Sequence, residues 1–204
     1  MGSDNVIAQT DALAREMGIS PAEIERREAF LEFTVEDVHA LERTSRQQIE
    51  LREVDLSALV KELVAELRQQ DPGRSADIVI GEGLVVKGDE SLLRVMMQNL
   101  LGNAWKYTSA RFDGRAEISF GSIASAGCDV PVFYVKDNGA GFDMAYAEGM
   151  FGLFQRLHGA TEYPGEGIGL ATVQRIIQRH SGRIWAQASA GTGATFYFTL
   201  WEHA

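Results

Sequence analysis

The chain holds one cysteine, Cys128, in a predicted loop, so no intramolecular disulfide can form and a reducing compartment is expected. No apolar run approaches the ~20 residues that span a bilayer, and no signal peptide is recognisable. The expectation is a soluble, cytoplasmic protein with no membrane partner. Basic residues are scarce. The 19 Lys and Arg are outnumbered by 29 Asp and Glu, for a formal charge of −10, and no basic run of the kind that tracks nucleic acid occurs. Nucleic acid is thereby excluded as a partner, and the surplus negative charge serves solubility. Internal repeats and low-complexity tracts are absent. With 204 residues the chain can bury one good core plus an appendage.

What the sequence has is glycine in telling places. Gly165-Glu166-Gly167-Ile168-Gly169-Leu170 alternates three glycines in a turn. An amphipathic helix follows at once, with Ile168, Ala171, Val173, Ile176 and Ile177 at helical spacing and Gly182 closing it. Glycines let backbone N–H groups approach a ligand and a helix N-terminus favours anions, which together make a phosphate cradle. The segment lacks the Gly-Lys-Ser/Thr ending of a Walker loop and the spacing of a dinucleotide fingerprint. Such turns are often purely structural, so its meaning rests on its companions.

Three companions occur. Asn99-Leu100-Leu101-Gly102-Asn103-Ala104-Trp105-Lys106-Tyr107 lies on a predicted helix capped by Asp89, with Leu93, Met96, Met97, Leu100 and Ala104 as its apolar stripe. Asn99, Asn103 and Lys106 share one face; amide oxygens suit Mg²⁺, and the lysine can neutralise phosphate charge. A solvated polar face is the plainer account, but asparagine at i and i+4 weakens a helix and needs a reason. Asp137-Asn138-Gly139-Ala140-Gly141-Phe142 follows the predicted strand Val132-Phe133-Tyr134-Val135-Lys136. Its carboxylate can accept a hydrogen bond from a flat heterocycle's amino group, although Asp-Asn-Gly is also ordinary turn chemistry. Gly191-Thr192-Gly193-Ala194-Thr195-Phe196 leads into a further strand; a hairpin turn accounts for it alone, and its value is positional.

In this order the segments resemble the ATP-binding catalytic domain of sensor histidine kinases, within the Bergerat-fold family shared with gyrase, Hsp90 and MutL. The resemblance covers residues 51–201. Residues 99–107 resemble the N box, 137–142 the G1 box, Phe151-Gly152-Leu153-Phe154-Gln155-Arg156 the F box, 165–170 the G2 box and 191–196 the last glycine box. The stretch 153–159, with 166–172, is most similar to the kinase domains of bacterial phytochromes. The resemblance implies ATP and Mg²⁺ as cofactors. It implies that Asn103 coordinates Mg²⁺ with Asn99 beside it, where ATP-hydrolysing members carry a glutamate. An amide cannot act as general base, so a kinase is implied rather than a hydrolase. Lys106 and Arg156 would contact phosphates, Asp137 would read the adenine amino group, and Gly139 and Gly141 would shape its pocket. Tyr107 and Thr195 would also contact the nucleotide. Gly165, Gly167, Ile168, Gly169 and Leu170 would hold the phosphates, and residues 156–166 would form a mobile ATP lid.

The chain divides near Leu51. Residues 51–204 predict an α/β two-layer sandwich, a mixed β-sheet covered on one face by helices. Strands are expected near 77–80, 84–87, 116–123, 132–137, 183–188 and 194–200, and helices near 56–70, 89–107 and 168–181. Residues 1–50 predict a helical N-terminal segment, with a capping box at Ser20-Pro21-Ala22-Glu23 and a second start at Thr34-Val35-Glu36-Asp37. A complete histidine kinase would place a dimerisation hairpin there, carrying a phosphoacceptor histidine followed by an acidic residue. Only His39 is available, with Glu42 one turn away. It reads either as a degenerate phosphoacceptor or as a polar-face residue on a short helix. Residues 45–50 resemble the last turns of the hairpin's second helix, and the remainder is expected to be missing. Residues 17–41 are also similar to the opening helices of bacterial globin-coupled sensors, without a haem pocket. An amphipathic helix lacking an intrachain partner predicts a homodimer.

The function expected is transfer of the ATP γ-phosphoryl group to a histidine on another chain or a missing segment, with a response regulator as a further partner. One alternative is a serine kinase of the anti-sigma type, against which the F box counts. The other is a catalytically silent, nucleotide-dependent binding module.

Overall fold

Two aspartates start the two long helices. The computed structural model describes residues 49–109, 115–123, 130–152 and 167–201. Asp55 Oδ1 accepts from Ala58 N–H at 3.0 Å and Asp89 Oδ1 from Leu92 N–H at 3.1 Å, each satisfying an orphan donor of a first turn. The helices that follow are α1 (Leu56–Gln70) and α2 (Glu90–Tyr107). The third, α3 (Gly169–Arg179), begins without a side-chain cap.

The described strands are β1 (Arg52–Asp55), β2 (Ala76–Ile80), β3 (Val85–Gly88), β4 (Ala116–Ile123), β5 (Val132–Asp137), β6 (Ile184–Ser189) and β7 (Gly193–Phe198). Five form the expected mixed sheet in the order β2-β4-β5-β7-β6, with β2 and β4 parallel and the other neighbours antiparallel. Alternation on β5 turns Phe133, Val135 and Asp137 to the buried side, towards the helices. There the Phe133 ring stacks between Phe120 and Phe198, with centroids 6.4 and 5.4 Å away, under the buried Leu93, Met96, Leu100 and Ile176. The predicted two-layer sandwich is the observed fold.

Three local features depart from expectation. Residues 52–55 form a strand that pairs with β3 in a separate two-stranded ribbon; only Val54 is buried there, too little for an alternation to show. A 3-10 helix, Met144–Gly149, follows the turn after β5, started by Asp143 Oδ1 accepting from Ala145 N–H at 2.9 Å. The last strand stops at Phe198 because Arg183 N–H bonds the Thr199 hydroxyl at 3.1 Å in place of a ladder carbonyl. Gly182 does follow α3, but the left-handed residue is Ser181, at φ 52°. Ser181 and Gly182 N–H close a Schellman motif on Gln178 O and Ile177 O, both at 3.0 Å. Gly182 is needed for close approach, since a Cβ there would lie 1.9 Å from Thr199 O.

The histidine that secures the fold is His180, fully buried at the end of α3. Its Nδ1 donates to Ile176 O at 2.8 Å and its Nε2 accepts from Asp89 N–H at 3.0 Å, which requires a neutral ring. Burial pushes its pKa below the ordinary 6.5, against the opposing pull of the Ile176 carbonyl and the Asp89 carboxylate. The unfolded chain therefore binds more protons below pH 6.5. This contribution to stability is fully present above that pH and is lost as pH falls. Denaturant unfolding between pH 7.5 and 5 should show the wild type losing stability relative to His180→Gln, by at most ~1.4 kcal/mol per pH unit for one proton. Parallel curves would contradict this.

Candidate functional site

Helix α2 carries four of the predicted site residues. Its polar face carries Asn99, Asn103 and Lys106, all half-buried. At its C-terminal end Tyr107 O accepts from Ala140 N–H at 3.1 Å, docking the turn after β5. Gly139 rests on the same carbonyl, and a Cβ there would come within 2.5 Å of it. From the opposite side the β6–β7 turn closes on this loop through Gly191 N–H, which donates to Ala140 O at 2.6 Å. Gly141 and Gly193 have φ of +58° and +109°, and added Cβ atoms would lie 2.0 Å from Ser189 O and 2.1 Å from Asp137 O. Both conformation and space demand glycine at these two positions.

Asp137 ends β5 at the centre of this arrangement, with 5% of its surface exposed. Its Oδ1 accepts from Gly139 N–H at 2.8 Å. Burial pushes its carboxyl up from 3.8 to about 6, against the downward pull of the Gly139 and Ala194 backbone N–H groups. A carboxylate buried in this way is costly by itself, and its remaining acceptor capacity suits a ligand's amino group.

At the middle of α2, beside Asn99, lies the start of α3. Gly167 has φ +76°, and Gly169 packs so closely that a Cβ would lie 2.5 Å from Asn99 Oδ1. Asn99 Nδ2 donates to Val95 O at 2.9 Å, which fixes that amide. Asn99 and Tyr107 are eight residues apart, about 12 Å along the helix. The uncapped N–H groups of the first turn of α3 are what an anion site requires. Ile168 is buried, so it offers a ligand only its backbone, while Leu170 is partly buried against the core. Asn103 has no side-chain hydrogen bond among the described residues. Lys106 Nζ lies 4.4 Å from the Tyr107 ring centroid.

One candidate is not brought to the site. The β5–β7 register pairs Asp137 with Ala194 and Lys136 with Thr195, so Thr195 lies on the sheet face opposite Asp137. The contribution of β7 is the Ala194 N–H. Arg156, Gly165, the F box beyond Gly152, the lid, His39 and the predicted dimer helices lie outside the described residues. Asn138 was missed: it makes three hydrogen bonds to the start of β4, and its place directly after a strand was the signal. Among the described residues no group of three or more His, Cys, Asp or Glu could hold a metal, and no helix is long and apolar enough to cross a membrane.

A family model described as histidine kinase-, DNA gyrase B-, and HSP90-like ATPase matches residues 88–204. The phytochrome-like protein Cph1 of Synechocystis sp. is 33% identical over 172 residues, covering 84% of this chain and 22% of that protein. The adaptive-response sensory kinase SasA of Thermosynechococcus vestitus is 34% identical over 157 residues, 75% of this chain and 40% of the other. The chain thus spans less than half the length of either relative. The solved mycobacterial sensor histidine kinase MprB shares the fold, with a TM-score of 0.60 at 22% identity over 74% of this chain and 97% of that one.

Proposed function

The chain belongs to the histidine kinase-, DNA gyrase B- and HSP90-like ATPase family, and from that premise we propose that it binds Mg·ATP along α2 and transfers the γ-phosphoryl group to a histidine on another chain or segment. The observation that carries this reading is the arrangement on one helix. A buried acceptor, Asp137, stands at the C-terminal end of α2 and an uncapped helix start meets the middle of α2 at Asn99, with Asn103 and Lys106 between.

Asp137 would accept from the adenine amino group, and Gly139 and Gly141 would leave room for the ring. The N–H groups of Gly167, Ile168, Gly169 and Leu170 would receive the phosphates, with Gly165, Lys106 and Arg156 adding contacts. The Asn103 amide, which has no partner among the described residues, fits with the adjacent Asn99 a hard cation as an oxygen donor. Mg²⁺ bound there would neutralise charge on the phosphates. Asn99 offers no proton-accepting carboxylate, so water is not activated and transfer to a histidine is favoured over hydrolysis. The reading extends to a homodimer in the cytoplasm with a response regulator downstream.

The test is incubation with Mg²⁺ and γ-labelled ATP, alone and with a phosphoacceptor hairpin domain. Label that survives alkali and is lost in acid is expected. Label with the reverse lability would mean serine and the anti-sigma-type reading. No label, with nucleotide binding intact, would mean the silent binding module.

A further inference from the structure

Asn138 continues the sheet one rung beyond its last strand residue. Pairing of β5 ends at Asp137 on both sides, opposite Ile118 of β4 and Ala194 of β7. One residue on, Asn138 N–H donates to Glu117 O at 3.2 Å, its Oδ1 accepts from Glu117 N–H at 2.9 Å, and its Nδ2 donates to Arg115 O at 2.8 Å. The side-chain amide thus stands in for the next backbone peptide of an antiparallel ladder.

We propose that Asn138 is a positioning residue for Asp137, clamping the turn to β4 so that the carboxylate keeps one direction. Strand ends fray, and Asp137 is the terminal pair on both sides. Its carboxylate is reached by Gly139 N–H at 2.8 Å, and Gly139 is itself wedged against Tyr107 O. Asn138 supplies the matching restraint on the β4 side, so the peptide between residues 137 and 138 is held from both directions. The clamp lies near the surface, where its loss costs the fold little. A ligand read by a single carboxylate is sensitive to small displacements of that group.

The inference rests on Asp137 reading the adenine ring, and the experiment separates the two. ATP, GTP and tripolyphosphate are titrated calorimetrically, with Mg²⁺, into wild type, Asn138→Ala, Asn138→Ser, Asp137→Asn and the Asp137→Asn/Asn138→Ala double variant. Asn138→Ala should weaken ATP about 10-fold and leave tripolyphosphate within about twofold. The serine hydroxyl can keep at most one of the two side-chain bonds, so Asn138→Ser should fall between. In the Asp137→Asn background, Asn138→Ala should add nothing, because residues acting as a unit are not additive. Unchanged ATP affinity, equal weakening of ATP and tripolyphosphate, or the same factor in both backgrounds would overturn the clamp. A wild type that does not prefer ATP over GTP would overturn the adenine reading and the inference with it.

Discussion

Asp137→Asn is expected to weaken ATP binding by about 100-fold or more, ~2.7 kcal/mol, while the unliganded protein becomes more stable at neutral pH. The two effects have one cause. In the folded protein the carboxyl is pushed up to about 6 by burial, so carrying its charge at pH 7 costs about 3 kcal/mol against an unfolded chain that ionises near 3.8. Between those values the folded state binds more protons, so this cost appears as pH rises from about 4 to 6. Asparagine removes the charge but keeps only one acceptor oxygen. The neutral amide is also a weaker acceptor for the Gly139 N–H, at about 1 kcal/mol. A net gain of about 1–2 kcal/mol remains. Chemical denaturation of wild type and variant across pH 4 to 7.5, with nucleotide calorimetry on both, checks it. A variant less stable than wild type at pH 7, or one that still binds ATP with wild-type affinity, would refute this account of Asp137.

Gly141→Ala should lower stability and nucleotide affinity together. The residue sits at φ +58°, where a side chain costs ~1 kcal/mol, and its Cβ would lie 2.0 Å from Ser189 O and 2.7 Å from Gly193 O. Both obstacles are backbone atoms that cannot rotate away, so the two turns must separate and the bond from Gly191 N–H to Ala140 O is lost. The expected destabilisation is about 3 kcal/mol or more. Gly102→Ala is the control. It lies inside α2 with nothing within 4 Å of an added Cβ, and should gain ~1 kcal/mol in helix propensity. Equal thermal stability of Gly141→Ala and wild type would contradict the packing described here.

The contrast between these glycines shows what was legible in the sequence. Gly139, Gly141 and Gly193 could be picked out because they fall in short turn strings that recur, and at Gly141 and Gly193 a positive φ is a local demand; the distant backbones that also crowd all three could not be read. The helix starts at Asp55 and Asp89 were legible for the same reason, each cap being satisfied within three residues. The sheet face of Thr195 was not legible because a string does not state the relative phase of two strands. Only the register of β5 on β7 sets Thr195 beside Lys136 instead of Asp137. β1 escaped notice because its partner is the distant β3 and a four-residue strand with one buried side chain has no visible period. Asn138 and His180 depend on partners 21 and 91 residues away. No window along the chain contains both ends of those bonds.

The central claim is that one site on α2 joins Asp137, the glycines around it and the start of α3. It is tested most directly by following backbone and side-chain amide signals by NMR while Mg²⁺ and a non-hydrolysable ATP analogue are added. The signals of Gly139, Gly141, Gly167, Gly169 and the Asn103 side chain should move together on one saturable curve, while Lys136 and Thr195 stay nearly still. No saturable change, or shifts confined to the sheet face that carries Lys136 and Thr195, would contradict the account.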